Sequence, residues 1–187
     1  MIRVGIVGAT GYTALELIKI LRHHPEVTLT RITSRDSVGF PIGQVHPELR
    51  HLELEFSALD VEDFENEVDF AFSCLPHAAS APIVERLLER NIKVVDFSAD
   101  YRLDDQASFE GLYQVDHPRP QRLGSVPYGI PELFRSSIQS AKLVANPGCF
   151  PSSAILPLAP LLKNGLAPEV IIVDSKPESL VRDAKPI

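Results

Sequence analysis

The chain opens on a run that leaves little freedom in the choice of fold. Ile2-Arg3-Val4-Gly5-Ile6-Val7 is short, β-branched and closed by Gly8, and a helical pattern starts almost at once. From Thr13, the apolar residues Leu15, Leu17, Ile18, Ile20 and Leu21 mix with Glu16, Lys19 and Arg22 at helical spacing. His23-His24-Pro25 stops the helix, and Val27-Thr28-Leu29-Thr30-Arg31-Ile32-Thr33 is a second strand. Strand, tight turn, helix and strand within roughly 30 residues form a βαβ unit, whose crossover makes the two strands parallel.

More strands come later in the chain. Leu52-Glu53-Leu54-Glu55-Phe56 alternates strictly, as a strand with one wet face does. Phe70-Ala71-Phe72-Ser73-Cys74-Leu75 is nearly all apolar, as a central parallel strand is, and Pro76-His77 ends it before a helix over about 78–90. Val94-Val95-Asp96-Phe97 and Leu143-Val144-Ala145 are two more short strands. Residues 34–49 are rich in Gly, Pro and polar groups, and 98–140 read as mostly irregular, broken by four prolines, with a short helix over 136–141. A loop of that length is usually functional. After the turn Asn146-Pro147-Gly148-Cys149 come an apolar helix over 152–162 containing Pro157 and the start of a strand over 170–174. The pattern predicts an α/β fold: a doubly wound, mainly parallel, Rossmann-like sheet with helices on both faces and a ligand across its carboxyl edge.

Gly5-Ile6-Val7-Gly8-Ala9-Thr10-Gly11 spaces its glycines as GxxGxxG, a variant of the dinucleotide fingerprint GxGxxG, after the first strand and opening the first helix. Small residues let the backbone approach a pyrophosphate, and the helix N-terminus stabilises its charge. Gly8, Thr10, Gly11, Tyr12 and Thr13 are therefore candidate cofactor contacts; the competing reading is a turn that only packs helix on strand. At the end of the second strand, Ser34 and Arg35 offer a hydroxyl and a guanidinium, which suit the 2′-phosphate of NADP. Asp36 keeps NAD as an alternative, and a solvated loop charge is the other reading of Arg35.

Composition narrows the function classes. Lys and Arg total 18 against 25 Asp and Glu, a formal charge of −7 without a run of like charge, so nucleic acid is not an expected partner. No apolar stretch approaches the roughly 20 residues that span a bilayer, and no signal-peptide pattern precedes the first strand, so no membrane partner is expected. The two cysteines lack metal-like spacing, which predicts no metal site, no disulfide scaffold and a cytoplasmic location. Cys149 stands at or just before a helix N-terminus, a position that favours thiolate. A lone cysteine is more often a small buried hydrophobe, which is the expectation for Cys74.

Five segments stand in order and register: Val7-Gly8-Ala9-Thr10-Gly11-Tyr12-Thr13, Ser73-Cys74-Leu75-Pro76-His77, Asp96-Phe97-Ser98-Ala99-Asp100-Tyr101-Arg102, Tyr128-Gly129-Ile130-Pro131-Glu132, and Ala145-Asn146-Pro147-Gly148-Cys149-Phe150-Pro151. Through them, residues 1–176 resemble the N-acetyl-γ-glutamyl-phosphate reductases of arginine biosynthesis. The resemblance implies that NADPH reduces a small-molecule acyl phosphate to an aldehyde, with Cys149 as the catalytic nucleophile that expels phosphate and holds a thioester. It implies that Leu75, Pro76 and His77 line the nicotinamide crevice, a surface or packing role being the alternative for His77. Arg102 and Asn146 are the implied substrate-binding residues; a loop salt bridge is the alternative for Arg102.

The domains expected are an NADP-binding domain over 1–148, the start of a catalytic and dimerisation domain over 149–176, and a tail over 177–187 that departs from the family pattern. The rest of the second domain and its catalytic His are expected beyond the last residue, and the full-length protein is expected to be a homo-oligomer. The alternatives are an NADP-binding module without turnover and a related reductase of aspartyl or amino-adipyl phosphate.

Overall fold

A computed structural model of the chain describes residues 1–176. The chain forms two compact units, Met1–Pro147 and one that begins at Gly148. The first holds six strands: β1 (Ile2–Val7), β2 (Val27–Thr33), β3 (Phe56–Ser57), β4 (Phe70–Ser73), β5 (Lys93–Asp96) and β6 (Leu143–Ala145). All pair in parallel, in the order β3-β2-β1-β4-β5-β6. The order reverses between β1 and β4, the switch point at whose carboxyl edge a doubly wound sheet opens a crevice.

Alternation along β1 builds a core on each face. Val4 and Ile6 join Ala14, Leu15, Ile18 and Leu21 of α1 (Tyr12–Leu21), together with Ile32, Leu49 and Phe56. Val7 faces the other way, into Phe64 of α3 (Val61–Glu67), Val84 and Leu87 of α4 (Ala81–Glu89), Ala71 and Val94. Burying each of the Val, Leu, Ile and Phe side chains among these is worth about 1.5–3 kcal/mol, so the two layers hold helices on both faces of the sheet.

Several local expectations are corrected. The strand expected over 52–56 contracts to β3, because residues 40–45 fold back: the N–H of Phe56 bonds the carbonyl of Phe40 at 3.0 Å, and that of Ile42 bonds the carbonyl of Leu54 at 2.8 Å. Leu52 and Leu54 pack on the core without belonging to a strand. In the Gly-, Pro- and polar-rich stretch 34–49, where the sequence pattern marks no element, α2 (Ile42–Val45) and a 3-10 turn at Pro47–Leu49 occupy the second half. Helix α3 gave too short a pattern to stand out; Asp60 caps it, accepting from the N–H of Glu62 at 2.8 Å.

The long stretch 98–140 contains α5 (Gln106–Tyr113) and α6 (Pro131–Ser140). Asp105 caps α5, yet Phe109 is its one buried residue, and none of α6 is buried, so neither carries a strong apolar period. The short helix expected over 136–141 is the second half of α6. In the second unit, α7 (Cys149–Lys163) starts earlier than expected and includes both Pro157 and Pro160. Residues 170–174 form no strand, and the tail over 177–187 lies outside the described residues. No helix among the described residues is long and apolar enough to cross a membrane.

Candidate nicotinamide dinucleotide site

The turn after β1 is held from two sides. Thr33, at the end of β2, accepts the N–H of Ala9 on its carbonyl at 2.8 Å and that of Gly8 on its hydroxyl at 3.3 Å. From the opposite direction the buried His46 donates through Nε2 to the carbonyl of Ala9 at 2.9 Å. A carbonyl only accepts, so Nε2 carries the proton.

The three glycines have different jobs. At Gly5 a Cβ would stand 2.7 Å from Phe64 and 2.9 Å from Val68, so this position serves packing of β1 on the face of α3. Gly8 has φ +78°, and a Cβ there would lie 2.9 Å from Cδ2 of Leu75 and 3.3 Å from the backbone of Cys74. Gly11 caps α1 with φ −85°, and a Cβ there would meet nothing within 4 Å. Its freedom from contact leaves room for something outside the protein. No acceptor among the described residues takes the N–H groups of Thr10, Gly11, Tyr12 or Thr13, and the first turn of α1 has no acidic side chain. Unpaired donors at an uncompensated helix start make an anion cradle, which fits a pyrophosphate.

The contact of Gly8 with Leu75 brings the loop after β4 against this cradle. Pro76 and His77 are exposed there, the His77 ring lying 5.1 Å from that of Tyr113. At the end of β2, the Ser34 hydroxyl accepts from the N–H groups of Asp36 at 3.2 Å and Ser37 at 3.1 Å, which shapes the turn. Arg35, 80% exposed, pairs through Nε and Nη2 with Asp36, both at 3.1 Å. The pair holds the Asp36 carboxyl below the usual carboxylate range.

Beyond β5 lies a buried polar network. Asp96 accepts from the hydroxyls of Ser80 at 2.7 Å and Ser98 at 2.6 Å, and Ser80 meets Ser73 at 2.6 Å. Burial nonetheless raises the Asp96 carboxyl above its usual range. Arg102 makes no carboxylate pair among the described residues; it donates through Nε to the carbonyl of Asn146 and through Nη2 to that of Phe97, each at 2.7 Å. The fold thus brings Arg102 and Asn146 together through a backbone atom, while the Asn146 side chain donates to the carbonyl of Pro147 at 3.0 Å. Burial pushes the Cys74 thiol up to about 12, so it is inert at neutral pH. Cys149 belongs to the second unit, where it is exposed and is the first residue of α7, after the cap Gly148. Thr33 and His46 were not legible as site residues. Thr33 reads as an ordinary strand residue, and His46 stands in a stretch without periodicity.

The family model described as the NAD-binding domain of semialdehyde dehydrogenase matches residues 3–141. The chain belongs to this family. Its first unit is accordingly a nicotinamide dinucleotide-binding domain. The chain is 48% identical over 177 residues to the N-acetyl-gamma-glutamyl-phosphate reductase of Rhodopirellula baltica, covering 94% of this chain and 51% of that protein. It is 45% identical to the enzyme of the same name from Methanopyrus kandleri, covering 100% of this chain and 55% of that protein. A Cenarchaeum symbiosum protein named as a phosphate reductase of LysW-linked L-2-aminoadipate or L-glutamate is 45% identical, covering 93% of this chain and 51% of that protein. The chain spans about half the length of the curated relatives it matches.

Two solved structures share the fold. Aspartate semialdehyde dehydrogenase with NADP from Candida albicans superposes with a TM-score of 0.64 at 18% identity, over 89% of this chain and 48% of that chain. Aspartate semialdehyde dehydrogenase II from Vibrio cholerae gives 0.62 at 20% identity, over 86% and 46%.

Proposed function

We propose that this chain carries the cofactor-binding part and the nucleophile of an N-acetyl-γ-glutamyl-phosphate reductase that uses NADPH. The observation that carries the cofactor half is the cradle at Gly8–Thr13, with unpaired N–H donors and open space at Gly11 beside Leu75. Arg35 beside Ser34 favours NADP over NAD: its guanidinium, paired in this structure with Asp36, would turn to the 2′-phosphate, which offers more charge than one carboxylate. The acyl substrate rests on relatives of that name at 45–48% identity. Residues 1–148 are the NADP-binding domain in this reading, and Cys149 opens the catalytic and dimerisation domain of a cytoplasmic homo-oligomer.

The Cys149 thiolate attacks the acyl carbon, the carbon–sulfur bond forms, and the bond to the phosphate oxygen breaks with loss of phosphate. NADPH, when bound, supplies the hydride that turns the thioester into the aldehyde and returns the thiolate. The second step consumes no water and works because a thioester carbonyl accepts hydride more readily than a carboxylate does. Leu75, Pro76 and His77 wall the nicotinamide side of the crevice. Arg102 fixes the turn at Asn146 ahead of the nucleophile and keeps Nη1 for the substrate's phosphate or carboxylate.

The test is acylation of the 187-residue chain. N-acetyl-γ-glutamyl phosphate should release one phosphate and leave a thioester on Cys149 by mass spectrometry, and Cys149→Ser should do neither. Equal phosphate release from both chains would remove Cys149 as nucleophile. The 45% identity to the LysW-linked relative favours a second reading, a carrier-bound amino-adipyl or glutamyl phosphate as substrate; preferential acylation by that compound would select it. Cofactor binding without acylation by any acyl phosphate would select a binding module.

A further inference from the structure

The segment between β4 and α4 carries Leu75, Pro76 and His77, and one residue from outside it holds it in place. Ala78 adopts φ +65°, the left-handed region that an alanine enters only under constraint. The constraint is Asp100, which is fully buried. One of its carboxylate oxygens accepts the N–H of Ala78 at 2.7 Å, and the other accepts that of Ala81, in the first turn of α4, at 2.8 Å. Asp100 is itself fixed from behind: its N–H donates to the Ser98 hydroxyl at 3.1 Å, and its carbonyl accepts from Nε2 of the buried His117 at 3.0 Å. Both carboxylate oxygens are turned away from solvent, so the charge-assisted bonds fix this turn and cap the start of the helix that follows it.

The sheet shows which part of a ligand this turn would meet. The adenosine ribose of a dinucleotide belongs at the end of β2 and its pyrophosphate at the start of α1, so the rest of the molecule extends over β4 and β5. Leu75–His77 form that wall, and the clamp begins at the next residue. We infer that Asp100 is the positioning residue for the nicotinamide half of the cofactor site, acting through the left-handed turn at Ala78. This inference rests on the NADP reading of the crevice. Asp100 contacts the turn rather than the cofactor, so it leaves the adenosine end untouched.

That asymmetry supplies the test. The 187-residue chain, Asp100→Asn and Ala78→Val are titrated calorimetrically with NADPH and separately with 2′-phospho-ADP-ribose, which has no nicotinamide. Asn cannot accept both N–H groups, and a β-branched residue resists φ +65°, so the two variants disturb the turn from opposite sides. Each should weaken NADPH by about tenfold or more, the worth of a lost charge-assisted hydrogen bond, and leave the fragment within about twofold. Equal weakening of both ligands in Ala78→Val, whose exposed substitution leaves the buried carboxylate intact, would overturn the inference, as would unchanged NADPH affinity in either variant. If the unaltered chain bound neither ligand, the NADP reading itself would fall, and the inference with it.

Discussion

Replacing Gly11 by alanine separates a phosphate cradle from a packing turn more cleanly than any other change. Its φ of −85° suits alanine, and a Cβ there meets no protein atom within 4 Å, so the fold loses only the difference between glycine and alanine at a helix cap, about 0.5–1 kcal/mol. A bound pyrophosphate would take up N–H groups of this same turn at about 2.9 Å. The methyl group would push it off at least one of them, at about 1.5–3 kcal/mol for a bond to a charged group, or roughly 10- to 150-fold in Kd. Gly8→Ala should behave in the opposite way. Its φ of +78° costs an alanine about 1–2 kcal/mol, and the 2.9 Å approach to Leu75 adds about 1 kcal/mol of displacement. A loss of about 2–3 kcal/mol lowers Tm by roughly 4–12 °C in a chain of this size. Thermal unfolding followed by circular dichroism gives the stabilities, and calorimetric titration with NADPH gives the affinities. If Gly11→Ala bound NADPH within twofold of the unaltered chain, the pyrophosphate would not lie at this turn.

Two other outcomes test the electrostatics. Arg35→Ala should weaken NADPH by at least about tenfold while leaving NADH within twofold, because only the 2′-phosphate meets the guanidinium; parallel titrations check this, and equal losses would place Arg35 outside the phosphate subsite. Burial raises the Asp96 carboxyl, so the folded chain holds its proton more tightly than the unfolded chain does. That stability is fully present below the ordinary carboxylate value of 3.8 and is lost as pH rises through the higher folded value. Tm measured from about pH 4 upward should therefore fall more steeply in the unaltered chain than in Asp96→Asn, and an equal or opposite slope would contradict a raised carboxyl.

The elements that the residues announce for themselves are those rich in apolar residues. α1 repeats them at helical spacing, β1, β2, β4 and β5 are short runs rich in β-branched or aromatic residues, and the glycine turn sits between β1 and α1 as a local signal. α3 and α5 escape, and α6 is legible only in its second half, because they bury two residues, one and none, respectively, so local caps such as Asp60 and Asp105 hold the first two with little apolar pattern to read. The candidate cofactor residues divide along the same line. Gly8 and Gly11 are legible from their spacing within one turn, and Arg35 from its place just after the second strand, whereas the roles of Thr33 and His46 rest on bonds to that turn across 24 to 37 positions of chain.

By itself, then, the order of residues determined the parallel α/β layering, the place of the glycine turn and the family, because these depend on short-range patterns and on motifs in register. Only the tertiary structure decided which glycine packs, which turns and which stays open, that Arg102 holds backbone carbonyls, and that Asp100 clamps the turn after β4. Those facts are distances between segments far apart in the chain, and no local pattern encodes which buried donor a buried carboxylate will meet.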